Sequence, residues 1–186
     1  MNAWTVGLIA DTHIPDRARQ LPPPVLDIFA RAGVCCILHA GDVVTAGVLA
    51  QLARLAPVYA VQGNRDLLLA RRLPRQRQVR VGPFTLGLVH GHGSWPRYMG
   101  DKMRYFLGRP LPFRRFVLRA RQTFPQADVV VFGHIHYPWA QRFGRQWVLN
   151  PGSPVGNDRS PVRPSVALLH LRGGQLPRPE FVFLPR

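Results

Sequence analysis

The sequence contains little cysteine, few acids, a single lysine and no long apolar run. The only cysteines, Cys35 and Cys36, are adjacent in a predicted buried strand, where neighbouring side chains point to opposite faces and do not readily pair. We therefore expect reduced thiols in the core of a cytoplasmic protein. The N-terminal apolar stretch is short and lacks a basic segment, so we expect no secretory signal. No apolar run approaches the roughly 20 residues of a membrane span, so we expect no membrane partner.

Basic residues strongly outnumber acids. The 186 residues include 25 Lys and Arg against nine Asp and Glu, a formal net charge of +16. Such a charge attracts polyanions and steers phosphorylated substrates toward a site. The stretch 97–121 mixes arginines with aromatic residues, a combination that can bind single-stranded nucleic acid. Alternatively, the aromatic residues of 113–124 form the buried face of a helix and the arginines face solvent. Nucleic acid therefore remains a candidate partner through the basic surface, and no pattern indicates an oligomeric state.

Five short polar motifs each follow a short apolar run. They are Asp11-Thr12-His13, Gly41-Asp42, Gly63-Asn64-Arg65-Asp66, His90-Gly91-His92 and Gly133-His134-Ile135-His136. Short apolar runs that are bounded by glycine and separated by helical patterns are typical of buried strands in an α/β sheet. Five strand ends would then bring Asp, Asn and His side chains to one rim of the sheet. This arrangement predicts a metal site, with donors enough for two ions.

The candidate ligands offer carboxylate, amide and imidazole donors and no thiolate. They are Asp11, His13, Asp42, Asn64, His90, His134 and His136. A mixed N/O set suits Mn, Fe, Zn or Ni rather than soft-metal or iron–sulfur sites. Two ions roughly 3.5–4 Å apart can hold a shared hydroxide and clamp a phosphoryl group during in-line displacement. Asp42, in the middle of the series, is the natural bridge. The alternative, ordinary core and capping residues, is disfavoured because five histidines fall in three compact motifs.

The order of these motifs resembles that of the calcineurin-like binuclear metallophosphoesterases, and most closely that of their small prokaryotic phosphodiesterase branch. The resemblance extends from Asp11 to the turn at 150–153. It implies an α/β fold, a four-layer αββα sandwich of two mixed β-sheets flanked by helices. It implies two divalent metal ions, with Mn preferred and Fe, Zn and Ni as alternatives. By resemblance, the first ion takes Asp11, His13, Asp42 and His136, and the second takes Asp42, Asn64, His90 and His134.

The motif after the third strand departs from the family pattern. Many members have His after the Gly-Asn pair, where it is proposed to protonate the leaving oxygen, and this chain has Arg65. Arginine stays protonated at any working pH and cannot act as a general acid. It can stabilise developing charge, so we predict a catalytic role of this kind. His92 is the candidate for the acid, with a loop histidine of no catalytic role as the alternative. Arg159 and Arg163 are predicted to contact a substrate phosphate.

The predicted elements fit one domain over 1–186, in which 93–127 forms a lid or insert over the site. Hydrophobic patterns predict helices at 22–32 and 45–54 and at least one helix within 93–127. Strands are predicted at 4–10, 34–39, 57–61, about 78–90 as a pair, 128–132, 138–142, 145–149, 165–171 and 175–184.

The predicted function is a metal-dependent phosphoesterase acting on a phosphate ester, and more specifically a phosphodiesterase. A nuclease or a cyclic-nucleotide phosphodiesterase of the same chemistry is one alternative. A non-catalytic protein-binding scaffold is another, since some family members have lost their metal ligands. Every expected ligand position in this chain carries a competent residue, which favours the enzyme.

Overall fold

A computed structural model describes residues 2–69, 71–109, 113–156 and 162–185. Ten strands are present in these ranges: β1 (Ala3–Ile9), β2 (Cys36–His39), β3 (Val58–Ala60), β4 (Gln76–Val81), β5 (Phe84–Val89), β6 (Val129–Phe132), β7 (Pro138–Phe143), β8 (Gln146–Pro151), β9 (Ser165–Arg172) and β10 (Arg178–Phe183). The helices are α1 (Pro23–Arg31), α2 (Ala46–Ala53), α3 (Trp95–Phe106) and α4 (Phe113–Thr123), with a short 3₁₀ turn at Leu67–Leu69.

The strands form two mixed five-stranded sheets. In the first, the order is β10-β9-β1-β2-β3, with β1, β2 and β3 parallel and the two C-terminal strands antiparallel. In the second, the order is β4-β5-β6-β8-β7, with β5, β6 and β8 parallel and a hairpin partner at each edge. The parallel strands of each sheet end on the same side, so the loops that follow them share one rim.

Three apolar clusters hold four layers together. The two sheets pack on each other through alternating residues such as Leu8, Leu38 and Leu86. Helices α1 and α2 cover the outer face of the first sheet, where Phe29 is completely buried. Helix α4 covers the outer face of the second sheet through Phe116 and its neighbours. The result is the αββα sandwich that the resemblance implies.

Most predicted elements are present, with their ends shifted by a few residues. The segment 93–127 contains two helices, α3 and α4. One prediction about the core was wrong: Cys35 precedes β2 and is exposed, while Cys36 is buried, and both thiols are free. Burial raises the pKa of Cys36 to about 12. Across the described ranges, we find no helix with the length and apolarity needed to cross a membrane.

Candidate metal centre

The rim shared by the parallel strands brings the seven candidate ligands together. They lie just beyond the C-terminal ends of β1, β2, β3, β5 and β6: Asp11, His13, Asp42, Asn64, His90, His134 and His136. Hydrogen bonds donated by backbone N–H groups join these loops. The His134 N–H donates to both carboxylate oxygens of Asp11, at 2.9 and 3.1 Å. The Asp11 N–H donates to the Gly41 carbonyl at 2.9 Å.

A first group of donors lies at the ends of β1 and β6. The Nε2 atoms of His13 and His136 are 3.1 Å apart. Asp11 Oδ1 lies 3.5 Å from Nε2 of His136 and 3.9 Å from that of His13. Donors that share one ion at about 2.0–2.2 Å are separated by about 3 to 3.5 Å. Most of these separations therefore fit donors around a single cation.

A second group of donors is centred on Asn64. Its Oδ1 lies 3.0 Å from His90 Nε2 and 3.0 Å from His134 Nδ1. Both separations match those between two ligands of one cation. An amide oxygen and two imidazoles suit the same borderline metals as the first group does.

Asp42 lies between the two groups. Its Oδ2 atom is 3.5 Å from His13 Nε2 in the first group and 3.5 Å from His90 Nε2 in the second. Its other oxygen, Oδ1, accepts the backbone N–H of Arg65 at 2.7 Å. One carboxylate oxygen is thus available to both groups, which is the position that a bridging ligand requires.

Hydrogen bonds to backbone carbonyls orient two of the imidazoles. His90 Nδ1 lies 2.7 Å from the Ala40 carbonyl, and His136 Nδ1 lies 3.4 Å from the Gly156 carbonyl. Because a carbonyl only accepts, these Nδ1 atoms carry the hydrogen, and Nε2 of each ring faces the other donors. Metal-binding histidines in proteins are commonly fixed in this way.

The backbone at the site adopts an uncommon conformation. Six non-glycine residues in the described ranges have positive φ, and five of them are candidate ligands: Asp11, His13, Asp42, His134 and His136. Asp and His are enriched in this left-handed region, yet each such residue costs of order 1–3 kcal/mol. Surrounding contacts stabilise these turns: Ser153 Oγ donates to the Asp11 carbonyl at 2.8 Å, and Asn150 Nδ2 donates to the Gly133 carbonyl at 2.7 Å.

The Asp66 carboxylate joins the Asp42 loop to the Asn64 loop. Its completely buried carboxylate accepts three backbone N–H groups: those of Asp42 at 2.9 Å, Val44 at 2.7 Å and Gly63 at 2.7 Å. A Cβ at Gly63 would collide with the Asp42 carboxylate, so only glycine permits this approach. Asp66 therefore supports both the Asp42 loop and the Asn64 loop.

His90 and Asp42 form an ion pair within the site. Burial alone would lower the pKa of His90, but the neighbouring Asp42 raises it to about 9. Burial also opposes ionisation of Asp42, yet His90 and then His13 bring its pKa below the usual range. Burial raises the pKa of Asp11 well above its usual value and lowers that of His13 to about 3. A divalent cation beside Asp11 would favour its ionised form.

The two predicted catalytic residues, Arg65 and His92, differ in their exposure to solvent. Arg65 is exposed, and its backbone N–H donates to Asp42 Oδ1 at 2.7 Å. His92 is half-buried, with its ring centroid 5.3 Å from that of His90 and 6.3 Å from that of His134. Among the described residues, its buried Nδ1 atom has no hydrogen-bond partner. Burial lowers the pKa of His92 to about 4. A role for either residue in catalysis remains a prediction.

The predicted substrate-binding arginines receive less support. Arg163 donates to the Leu184 carbonyl at 3.3 Å and lies over the Phe183 ring. It lines a cleft of about 310 Å³ together with Tyr137, which follows the candidate ligand His136. Arg159 lies outside the described residues.

Helix α3 adds a residue that sequence reasoning did not single out. Asn64 Nδ2 donates to the hydroxyl of Tyr98 at 3.4 Å, and the Tyr98 ring lies 6.0 Å from that of His134. In the sequence, Tyr98 is one of several aromatics in an arginine-rich stretch. Only the placement of α3 beside the site distinguishes it from the others.

Comparison with known proteins places the chain in a family. A protein-family model described as the calcineurin-like phosphoesterase superfamily domain matches residues 4–174. The chain belongs to this superfamily. A relative from Methanothermobacter thermautotrophicus named "Probable metallophosphoesterase" is 39% identical over 171 residues, which are 92% of this chain and 88% of the relative. The family and the grouped donors together support a metal-dependent phosphoesterase.

Solved structures share the superfamily fold. Wild-type Vps29 from Entamoeba histolytica, determined in complex with zinc, is 25% identical, with a TM-score of 0.68 and coverage of 96% of this chain and 98% of that one. A predicted phosphoesterase from Streptococcus pneumoniae is 21% identical, with a TM-score of 0.67 and coverage of 98% and 91%. The second likeness concerns the fold alone.

Proposed function

We propose that this protein is a binuclear metal-dependent phosphodiesterase, a hydrolase of phosphoric ester bonds. The observation that carries the proposal is the position of Asp42, with one carboxylate oxygen 3.5 Å from an imidazole nitrogen of each donor group. A structural carboxylate needs only one such neighbour. Two sets of donors joined by one oxygen are what a pair of divalent ions requires.

The residues that would hold the ions follow from the donor groups. The first set is Asp11, His13, His136 and Asp42, and the second is Asp42, Asn64, His90 and His134. When bound, two such ions would lower the pKa of water and act as Lewis acids toward a phosphoryl oxygen. Mn is the preferred metal, with Fe, Zn and Ni as alternatives that the donors also suit. The protein supplies fixed ligands, four of which (Asp11, His13, Asp42 and His90) are buried, and the charge around them.

The preference for diesters rests on Arg65. Arg65 is exposed beside the Asp42 carboxylate and keeps its charge at any working pH. It can donate to a phosphoryl oxygen but cannot protonate a poor leaving group. The enzyme would therefore favour diesters with good leaving groups, with His92 as the other candidate for proton transfer. The net charge of +16 would attract such anions, including nucleic acid.

We also propose a cytoplasmic location, since Cys35 and Cys36 are both free.

The proposal is tested with paired chromogenic substrates. Protein stripped with a chelator is reloaded with Mn, Zn, Fe or Ni, and hydrolysis of bis-p-nitrophenyl phosphate and p-nitrophenyl phosphate is measured. We expect activity only with metal and a higher kcat/KM for the diester. Activity that survives metal removal would contradict the metal-dependent mechanism. A clear preference for the monoester would contradict the assigned specificity.

A protein-binding scaffold is the second candidate function. One observation favours it: helix α3 exposes a row of large apolar side chains, Trp95, Met99 and Met103, with 65%, 41% and 58% of their surface accessible. Exposed apolar patches on a helix often mark partner contacts. A chain that holds metal but hydrolyses neither chromogenic substrate under any metal condition would favour the scaffold over the enzyme.

A further inference from the structure

One face of helix α3, which carries Tyr98 and Asp101, packs against the rest of the protein. Tyr98 and Asp101 are three residues apart and so lie on the same side of the helix. Asp101 is only 7% exposed, and Tyr98 is half-buried. On the other side of α3, Met99 and Met103 are exposed. The helix is thus oriented with its Tyr98 side toward the candidate metal centre.

Asp101 connects α3 to the loop that carries His90. Its Oδ2 atom lies 3.5 Å from Nη2 of Arg119 on α4. Nη1 of the same arginine donates to the carbonyls of Gly91 and His92, at 2.8 Å each. One guanidinium therefore contacts both α3 and the His90 loop. This link joins α3, which carries Tyr98, to the loop that carries His90.

The Tyr98 hydroxyl lies beside the second donor group. It accepts a hydrogen bond from Nδ2 of Asn64 at 3.4 Å, and Oδ1 of the same amide faces His90 and His134. Because an amide N–H₂ only donates, the phenolic oxygen is the acceptor and its hydrogen points elsewhere. Among the described residues, this hydrogen has no acceptor. The Tyr98 ring meets His134 and His92 edge-on, at 6.0 and 6.2 Å, so the ring is held while the hydroxyl reaches the rim.

We propose that Tyr98 is a substrate-binding residue whose hydroxyl donates a hydrogen bond to a non-bridging phosphoryl oxygen of the bound ester. The proposal rests on the proposed function, because it needs a phosphoryl group beside the second donor group. A donor already positioned before substrate binds costs little reorganisation when negative charge develops on that oxygen. Its side chain would supply a neutral donor in addition to the permanently charged Arg65.

The test compares two conservative variants with the wild type. Tyr98→Phe removes the hydroxyl and keeps the ring, so its packing against His134 is retained. Tyr59→Phe is the matched control, since Tyr59 is half-buried on β3 and contacts Arg77 rather than the candidate ligands. For each Mn-loaded protein we measure bound metal by elemental analysis, the Kd for inorganic phosphate by calorimetry, and kcat and KM for bis-p-nitrophenyl phosphate.

We expect Tyr98→Phe to keep its metal while its phosphate Kd rises and its kcat/KM falls, each by roughly 10- to 100-fold, the effect of one hydrogen bond to a charged group. Tyr59→Phe should match the wild type. If the wild type is active and Tyr98→Phe binds phosphate as tightly, the proposal is wrong and the phosphodiesterase function stands. If Tyr98→Phe loses metal and excess Mn restores phosphate binding, Tyr98 only orients Asn64, which also overturns it. A wild type without metal, phosphate binding or hydrolysis would refute both proposals.

Discussion

Replacing Asp42 by Asn tests the ion pair at the centre of the site. The amide keeps an oxygen that can accept the Arg65 N–H, held at 2.7 Å in the native protein, but it removes the charge opposite His90. His90 is completely buried, and Asp42 raises its pKa from the ordinary 6.5 to about 9. That difference corresponds to about 3 kcal/mol of folding free energy. For a chain of this length we expect the Tm of chelator-treated protein to fall by about 6 to 12 °C.

The pH dependence of this loss has a definite sign. Because the folded pKa of His90 is raised, its stabilisation is fully present below its unfolded pKa of 6.5 and is lost as the pH rises through about 9. The lowered pKa of Asp42 adds stability above its ordinary 3.8, and this is lost on acidification through the folded pKa. The Tm difference between Asp42→Asn and wild type should therefore be largest near about pH 5 to 6 and should shrink above about pH 9.

Thermal melts of chelator-treated protein across this range provide the assay. Asp128→Asn is the control, since the half-buried Asp128 accepts the Thr85 N–H at 2.8 Å and lies at the N-terminal end of β6, opposite the rim that carries the ligands. Its Tm difference should not follow the titration of His90. If the Tm difference between Asp42→Asn and wild type is the same at low and high pH, the stabilisation does not come from an ionised pair. The variant should also lose turnover, because both donor groups lose their shared oxygen.

Three further predictions concern the surroundings of the site. Asp66→Ala leaves three buried N–H groups unpaired, so Mn affinity measured by titration should fall about 10- to 100-fold, whereas Asp66→Asn should lose less. Arg65→Ala should lower kcat about 10- to 1000-fold with metal content unchanged, and an unchanged kcat would place Arg65 outside the reaction. Replacing the exposed cations Arg97, Lys102 and Arg109 by Gln should raise KM for anionic substrates and weaken oligonucleotide binding. This effect should fade at high salt, where charges are screened within about 8 Å or less, and a salt-independent KM would contradict it.

Much of the fold could be predicted because local and tertiary preferences agree. The apolar runs at 4–10 and 128–132 are buried strands in the structure, β1 and β6, since each is covered on both faces. The polar motifs lie where the strands end, and the parallel pairing of β1 with β2 brings Asp11 and Asp42 to one rim. Residue type and position after a strand were therefore enough to predict the grouping of the donors.

The remaining features depend on packing that a linear pattern does not contain. Asp66 looks like a capping residue, and its three hydrogen bonds reach backbone groups up to 24 residues away. Cys35 adjoins an apolar run but precedes the strand and is exposed, because β2 begins only at Cys36. Tyr98 gains its position from a chain of contacts through Asp101 and Arg119. No spacing rule in the sequence links Tyr98 and Asp101 on α3 to Arg119 on α4.

The most direct test of the account is the number of metal ions bound per chain. Chelator-treated wild-type protein is titrated with Mn, and the stoichiometry is checked by elemental analysis after removal of unbound metal. We predict two ions per chain for the wild type and loss of the second ion in Asn64→Ala, since Asn64 Oδ1 is the centre of only the second donor group. A wild-type chain that binds no metal, or that saturates with one ion, would contradict the binuclear site.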